Sequence, residues 1–383
     1  MMPWLPRTLV ALYAPVAFAI APAPSFKSWI GKLENRGVQV TAGLWDLSTG
    51  TLLDGHQTDL ALVPASTTKV VSTYAILKTW KPNYEIETEV WGDFQGGIVK
   101  GDLVLKGGGD PLLTNERIWL LAQDLKSRGV VRVQGRIRLD QRAFDGQYLG
   151  NGWVNTSSDT TPPILPLSVN FNRDDNGRIL RNPERNALNV LTRIFRETGI
   201  LVDEGNVPPS EGQKIATLVS PPLRQIVQGI NKFSNNFMIE MLVKRFGEGS
   251  WPRGIARIQD FYKTTLQLGP DKIAVTDGSG LSKDNRLSAR TLAIVLRAGW
   301  NDFEVGPEFV ESLKIIGGEP WRLKVQDPNL ARRVRCKTGH LSGVSSICGY
   351  LQTPNGKLRV FAIILNGDAK EDDLWEMVSR WAN

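Results

Sequence analysis

Apolar residues Phe26, Trp29, Ile30 and Leu33 recur at helical spacing behind Ser25, which predicts a short capped helix over residues 26–36. Alternation from Val38 to Leu47, a turn at Asp46–Gly50 and a second apolar stretch at 51–54 predict a hairpin. A helix opening near Ser66 and running to Trp80 follows. From about residue 90 the texture changes to short alternating segments at Ile86–Trp91, Ile98–Leu105 and Val130–Leu139, interrupted by a helix at 114–128. Residues 150–220 are rich in Pro, Asn and Gly, with one amphipathic helix at 186–198. Helices are then predicted at 222–247, 252–267 and 288–300, strands at Val334–Thr338, Ser345–Leu351 and Leu358–Asn366, and a final helix at 370–382. The pattern is a helix-and-sheet unit at both ends of the chain with a β-rich segment between them, and no internal repeat.

A chain of 383 residues suggests two or three domains, and 41% hydrophobic with 22% charged residues is ordinary for a globular protein. Two cysteines exclude a disulfide-dense scaffold and zinc fingers. With only His56 and His340, a His-rich metal site is not expected, and serine chemistry would draw its base from another residue type. A net charge of +7 suits an anionic partner, but the basic residues are scattered, so nucleic acid is not expected to be that partner. At the N-terminus, Arg7 precedes an apolar run from Leu9 to Ile20 that contains the small-x-small sequence Ala17-Phe18-Ala19. This predicts a signal peptide over residues 1–19, export, and no stable membrane anchor after cleavage. Prolines at 3, 6, 15, 22 and 24 argue against the alternative of a buried helix.

Three short motifs carry candidate chemistry. In Ser66-Thr-Thr-Lys69, serine and lysine share a helix face one turn apart, so a neutral lysine could take the serine proton; the plain alternative is a serine cap with a solvated lysine. Ser234-Asn-Asn236, early in an apolar helix ending near Phe246, presents a hydroxyl and an amide together, or simply caps or bends that helix. Lys337-Thr338-Gly339 on a predicted strand joins a cation and a hydroxyl to a residue without a side chain, or marks an edge strand guarded by lysine.

Taken together and in this order, the motifs resemble the signature of penicillin-binding proteins and class A β-lactamases. With Leu103–Leu112, which contains Gly-Gly-Gly-Asp-Pro, and with Asp277-Gly-Ser-Gly-Leu-Ser282 followed by Asn285-Arg-Leu-Ser-Ala289, the chain resembles the D-Ala-D-Ala carboxypeptidase/endopeptidase family S13 over most of residues 26–383. The resemblance implies an α/β fold, a transpeptidase-like domain whose antiparallel sheet is flanked by helices and carries an inserted β-rich domain. Its expected division is 24–91 with 220–383 for the catalytic domain and 92–219 for the insert, a second nested insert being reduced or absent. The Ser66 helix is expected in the middle of the domain and the Lys337 strand beside the cleft.

By the same resemblance Ser66 is the acylated nucleophile, Lys69 the base, and Ser234 the relay to the leaving amine. Asn236 binds the substrate amide, while Lys337 and Thr338 bind the terminal carboxylate. The N–H groups of Ser66 and His340 form the oxyanion hole, and Gly339 admits the substrate backbone. No metal or cofactor is implied. The implied partners are peptidoglycan peptides ending in D-Ala-D-Ala and, as acylating inhibitors, β-lactams; the implied location is the periplasm or the cell surface.

Three features depart from the family pattern. His340 stands where Thr or Ser is usual, so an imidazole replaces a hydroxyl that could bind carboxylate. Cys336 and Cys348 flank a predicted hairpin and would form a disulfide if they face each other, with buried free thiols as the alternative. The region between the first two motifs is shorter than in larger members. Arg333 and Arg335 share strand parity with Lys337, so a basic strip toward the site is a further expectation. Rival readings are a β-lactamase or esterase of the same fold, or a non-catalytic wall-binding protein.

Overall fold

The computed structural model describes residues 25–150, 153, 161–205, 212–318 and 328–383. The expected signal peptide lies outside the described residues. The first helix, α1 (Phe26–Glu34), is capped by Ser25, whose Oγ accepts the Ser28 N–H at 3.1 Å. The hairpin β1 (Gln39–Asp46) and β2 (Leu52–His56) follows. The chain then crosses a 3₁₀ turn at Ala65–Thr67 into α2 (Thr68–Trp80). β3 (Glu87–Gln95) and β4 (Ile98–Lys106) form a second hairpin, turned by Gly96 and Gly97, both at positive φ as a two-residue turn requires. α3 (Asn115–Ser127), β5 (Arg132–Val133), β6 (Ile137–Asp140), α4 (Pro183–Glu197), β7 (Leu201–Val202) and β8 (Gln213–Val219) complete this part. Then come α5 (Leu223–Phe233), α6 (Asn236–Phe246), α7 (Trp251–Leu266), α8 (Ala289–Asn301), α9 (Gly306–Glu311), β9 (Lys314–Ile315), β10 (Val334–Leu341), β11 (Val344–Gln352), β12 (Leu358–Asn366) and α10 (Glu371–Ala382).

One six-stranded sheet runs β2-β1-β12-β11-β10-β9, with every pairing antiparallel. It joins the N-terminal hairpin to the C-terminal strands, so the two ends of the chain build one layer. Its strands β11 and β12 are buried on both faces because helices cover both. Trp29 and Leu33 of α1 pack with Met377, Val378 and Trp381 of α10 on one face. On the other face α2 meets α5, α6, α7 and α8. α2 is buried on all sides from Thr68 to Leu77, as expected of a helix at the centre of a domain. Burial of Val70, Val71, Ile76 and Leu77 stabilises by about 1.5–3 kcal/mol per side chain.

The second sheet runs β7-β5-β4-β3-β8, with β6 also on β4. It is mixed: β3 pairs antiparallel with β4 and β8, whereas β5 and β6 run parallel to β4. α3 and α4 cover one side through Leu121, Leu125, Leu191 and Phe195. The single strand expected at 130–139 is broken at Gly135, which approaches Gly101 so closely that a Cβ would lie 2.5 Å from its carbonyl.

Two expectations change. The helix predicted over 222–247 is two helices, because Ser234 takes the left-handed conformation (φ 56°, ψ 36°) and Asn235 recaps the chain through its Oδ1 on Met238 N–H. Both halves are apolar, so periodicity alone ran through the break. The disulfide is overturned: Cys336 pairs with Gly349 and Cys348 with Lys337, so the one-residue offset sends the thiols to opposite faces of the sheet. Both are buried free thiols, one in each core.

Candidate active site

Sharp turns deliver the first two motifs, and a strand delivers the third. Ala65, immediately before Ser66, has φ +48°, a conformation that costs a residue with a Cβ about 1–3 kcal/mol. The surroundings hold it there. Thr67 Oγ1 and Ser346 Oγ both donate to Pro64 O, at 2.7 and 2.6 Å, and Thr68 Oγ1 donates to Ala65 O at 2.8 Å. This elbow sets the Ser66 hydroxyl at the mouth of α2. The left-handed break at Ser234 likewise turns that serine and Asn236 toward the cleft.

Lys69 is fully buried, and its Nζ has three oxygen neighbours: Ser66 Oγ at 2.8 Å, Asn236 Oδ1 at 2.7 Å and Ser279 O at 2.8 Å. A neutral amine has two N–H donors and one lone pair. The amide oxygen and the carbonyl can only accept, so they take both donors. The lone pair is left facing the Ser66 hydroxyl. Burial pulls the Lys69 pKa down to about 7, against the opposing pull of Glu240 and Asp277. An amine with this proton affinity is matched to a base working near neutrality.

Lys337 is 2% exposed and donates to Ser234 Oγ at 2.8 Å and to Thr338 O at 2.6 Å. Burial, and then repulsion from Lys69, hold it well below the usual lysine range. An anion bound in the cleft would act against both effects. Gly339 is required sterically: a Cβ there would sit 2.4 Å from Ser346 Oγ and 2.7 Å from the Ser66 nitrogen. The strand therefore passes directly against the elbow. The resulting cleft, about 290 Å³, is lined by Ser66, Ser234, Asn236, Thr338, Gly339 and His340 among others. All eight sequence-derived candidates thus come together, six on the cleft wall and Lys69 and Lys337 behind it.

Sequence reasoning missed several neighbours. Glu240 and Asp277 are buried carboxylates beside Lys69. A lone Glu within Phe237-Met-Ile-Glu-Met-Leu242, one turn after Asn236, was the available signal. Glu371 and Leu374 of α10 also line the cleft, and nothing in the sequence marked them. The expected basic strip is not formed. Arg333 precedes β10 and donates to Gln352 O and Ala382 O, while Arg335 lines a separate groove with Trp300 and Phe303.

Fold and site together define a penicillin-binding hydrolase of the serine class. The sequence matches the D-Ala-D-Ala carboxypeptidase 3 (S13) family over residues 32–180 and 166–382. The chain belongs to that family. It is 28% identical over 370 residues to a carboxypeptidase of Mycobacterium tuberculosis, covering 88% of this chain and 77% of that protein. The crystal structure of penicillin binding protein 4 from Haemophilus influenzae superposes with a TM-score of 0.79 at 20% identity, over 92% of this chain and 99% of that one. A predatory peptidoglycan endopeptidase from Bdellovibrio bacteriovorus shares the fold at a TM-score of 0.58 and 15% identity, over 90% of each chain. Among the described residues no helix is long and apolar enough to cross a membrane.

His340 offers a local test. It is exposed on the cleft wall, at the position where the family resemblance leads to a Thr or Ser hydroxyl. His340→Thr is expected to lower KM for D-Ala-D-Ala peptides by about tenfold, the value of one hydrogen bond to a charged group, at unchanged kcat. Steady-state kinetics check this. An unchanged KM would show that the side chain at 340 does not touch the substrate.

Proposed function

We propose that the protein removes the terminal D-alanine from peptidoglycan stem peptides through a Ser66 acyl-enzyme, and cleaves crosslinks that present the same D-alanyl bond. The observation that carries this reading is the three-point hold on Lys69 Nζ, which points the lone pair of a buried amine at a hydroxyl 2.8 Å away.

Lys69 takes the Ser66 proton as Oγ attacks the carbonyl carbon of the penultimate D-alanine. The developing oxyanion is met by the N–H groups of Ser66 and His340. The C–N bond then breaks, and the leaving amine receives the proton that Lys69 took up, relayed through Ser234, which Lys337 holds from behind; Lys69 is neutral again. Asn236 binds the substrate amide, and Lys337 with Thr338 binds the terminal carboxylate. Water, activated by Lys69, attacks the ester and frees Ser66. A β-lactam enters the same first step, but its leaving group stays tethered, so the ester persists.

Residues 24–91 and 220–383 make up the catalytic domain in this reading, and 92–219 the insert. The N-terminal apolar segment directs export to the periplasm, where this substrate lies.

The test incubates the protein with a fluorescent penicillin and, separately, with a D-Ala-D-Ala peptide and a crosslinked dimer. Expected are one stable label per chain, mapped by mass spectrometry to the peptide that holds Ser66, and release of D-alanine. Rapid loss of the label with accumulation of opened β-lactam would mark a β-lactamase instead. Absence of both labelling and D-alanine release would leave only a wall-binding role.

A further inference from the structure

Behind the base lies a network that the reaction as described does not use. The peptide group joining Ser279 to Gly280 presents its carbonyl to Lys69 Nζ at 2.8 Å and its N–H to Asp277 Oδ1 at 2.8 Å. Asp277 is thus one peptide group removed from the base. Its carboxylate is buried and accepts four N–H donors: Gly280 and Asn285 Nδ2 on Oδ1, Ser282 and Trp153 Nε1 on Oδ2. Three of the four come from the 277–285 loop itself. The fourth, Trp153 at 3.0 Å, comes from the stretch between β6 and α4, far away in the chain.

That stretch is fastened to α6 and to the turn after it. Asp145 meets the buried Lys244 at 2.8 Å, and its N–H donates to Gly249 O at 3.1 Å. Trp153 then stands edge-on to Trp251, with ring centroids 5.5 Å apart. Trp251 in turn donates its indole N–H to Glu240 Oε2 at 2.9 Å, and Glu240 Oε1 accepts the Ser279 N–H at 2.6 Å. Two tryptophans therefore cap the two carboxylates that grip the loop on which the base rests.

We propose that Trp153 is a positioning residue for the general base: its indole N–H fixes Asp277, Asp277 fixes the Ser279 carbonyl, and through it the place and proton affinity of Lys69 are set from outside the catalytic sheet and its helices. This deepens the acyl-enzyme reading and rests on it. The charged groups facing Lys69 are Glu240 from α6, Asp277 from the loop and Lys337 from β10. Burial and the nearby Asp277 push Glu240 up to about 8, so a proton added to the carboxylate pair sits on Glu240. Burial raises Asp277 as well, but its four contacts are all N–H donors, which suit the carboxylate and offer no acceptor to a carboxyl O–H.

Removing the indole donor by Trp153→Phe keeps the ring but leaves the Asp277 charge less compensated. The three donors that remain are N–H groups suited to the carboxylate, whose less compensated field tightens the proton on Lys69. The double variant Asp277→Asn with Glu240→Gln removes both carboxyl groups and acts in the opposite sense.

The experiment measures the rate of Ser66 acylation by a fluorescent penicillin between pH 5.5 and 9.5, separating the saturation constant from the limiting rate. For Trp153→Phe the acid limb is expected to move up by about half a pH unit, with at least a threefold lower rate below the limb and an unchanged saturation constant. For the double variant it is expected to move down. A Trp153→Phe limb that stays in place or moves down overturns the proposal, even if every rate is scaled uniformly, since a purely structural role would do only that. If the double variant fails to fold, Trp153→Phe decides alone. Absence of labelling in the wild type would remove the acyl-enzyme reading itself, whereas normal labelling with an unmoved limb removes only the role of Trp153.

Discussion

Lys69→Arg is expected to lower the rate of Ser66 acylation by about 10³–10⁴ and to abolish its rise through neutral pH. Wild-type acylation should climb as pH passes about 7, because only the neutral amine can accept the serine proton and burial has brought its pKa to that value. Below this pH the amine is protonated and its lone pair is gone; above it the rate is level. Arginine places a permanent cation beside Glu240 and Asp277, and the urea unfolding midpoint of the variant reports whether the buried site accommodates it. A guanidinium cannot lose its proton in this range and has no lone pair to offer. The residual rate should therefore be flat between pH 6 and 9. Stopped-flow labelling with a fluorescent penicillin measures both features. A variant that kept the wild-type limb would show that some other group takes the serine proton.

The sequence revealed the components of this site better than their arrangement. Ser66 and Lys69 sit three apart on one helix, so local geometry alone put them together. Ser234 and Lys337 are 103 positions apart, and only the resemblance to a family joined them. The sheet was legible where apolar segments of strand length stand between turn residues, as in β1, β11 and β12. β8 was not, because Gln213–Val219 is an edge strand whose buried residues, Ile215 and Ala216, are adjacent and so break the alternation. The helix break at Ser234 was hidden because the apolar periodicity runs on through it, although Ser234, Asn235 and Asn236 are residue types that favour caps over helix interiors. The two thiols at 336 and 348 looked symmetric in sequence, yet strand parity decides which face each side chain takes. What eluded the sequence entirely was the layer behind the base. Asp277 was visible as part of a motif, but its coupling to Trp153 depends on a contact 124 positions away.

Gly280→Ala should be among the most damaging single-methyl additions in the molecule. Gly280 has φ +83°, and a Cβ built on it would lie 1.8 Å from the Ala65 carbonyl oxygen. Neither partner can yield. Ala65 is itself at positive φ, its carbonyl is held by Thr68 Oγ1, and the Gly280 N–H is held by Asp277. The left-handed backbone and the overpacking together are expected to cost about 2–6 kcal/mol, read as a shift of the urea unfolding midpoint. Whatever fraction remains folded must displace either the elbow that aims Ser66 or the loop that holds Lys69. Labelling by a fluorescent penicillin should therefore fall more than the folded fraction does. Gly356→Ala is the informative comparison. That glycine has nearly the same φ, +81°, but a Cβ there meets nothing within 4 Å. It should cost about 1–2 kcal/mol for backbone conformation alone and leave the labelling rate of the folded protein unchanged. Equal losses of acylation in the two variants would mean that contact between the 277–282 loop and the serine elbow has no part in orienting the nucleophile. A loss confined to Gly280→Ala would tie the most distinctive motif of the chain to the geometry of its first catalytic step.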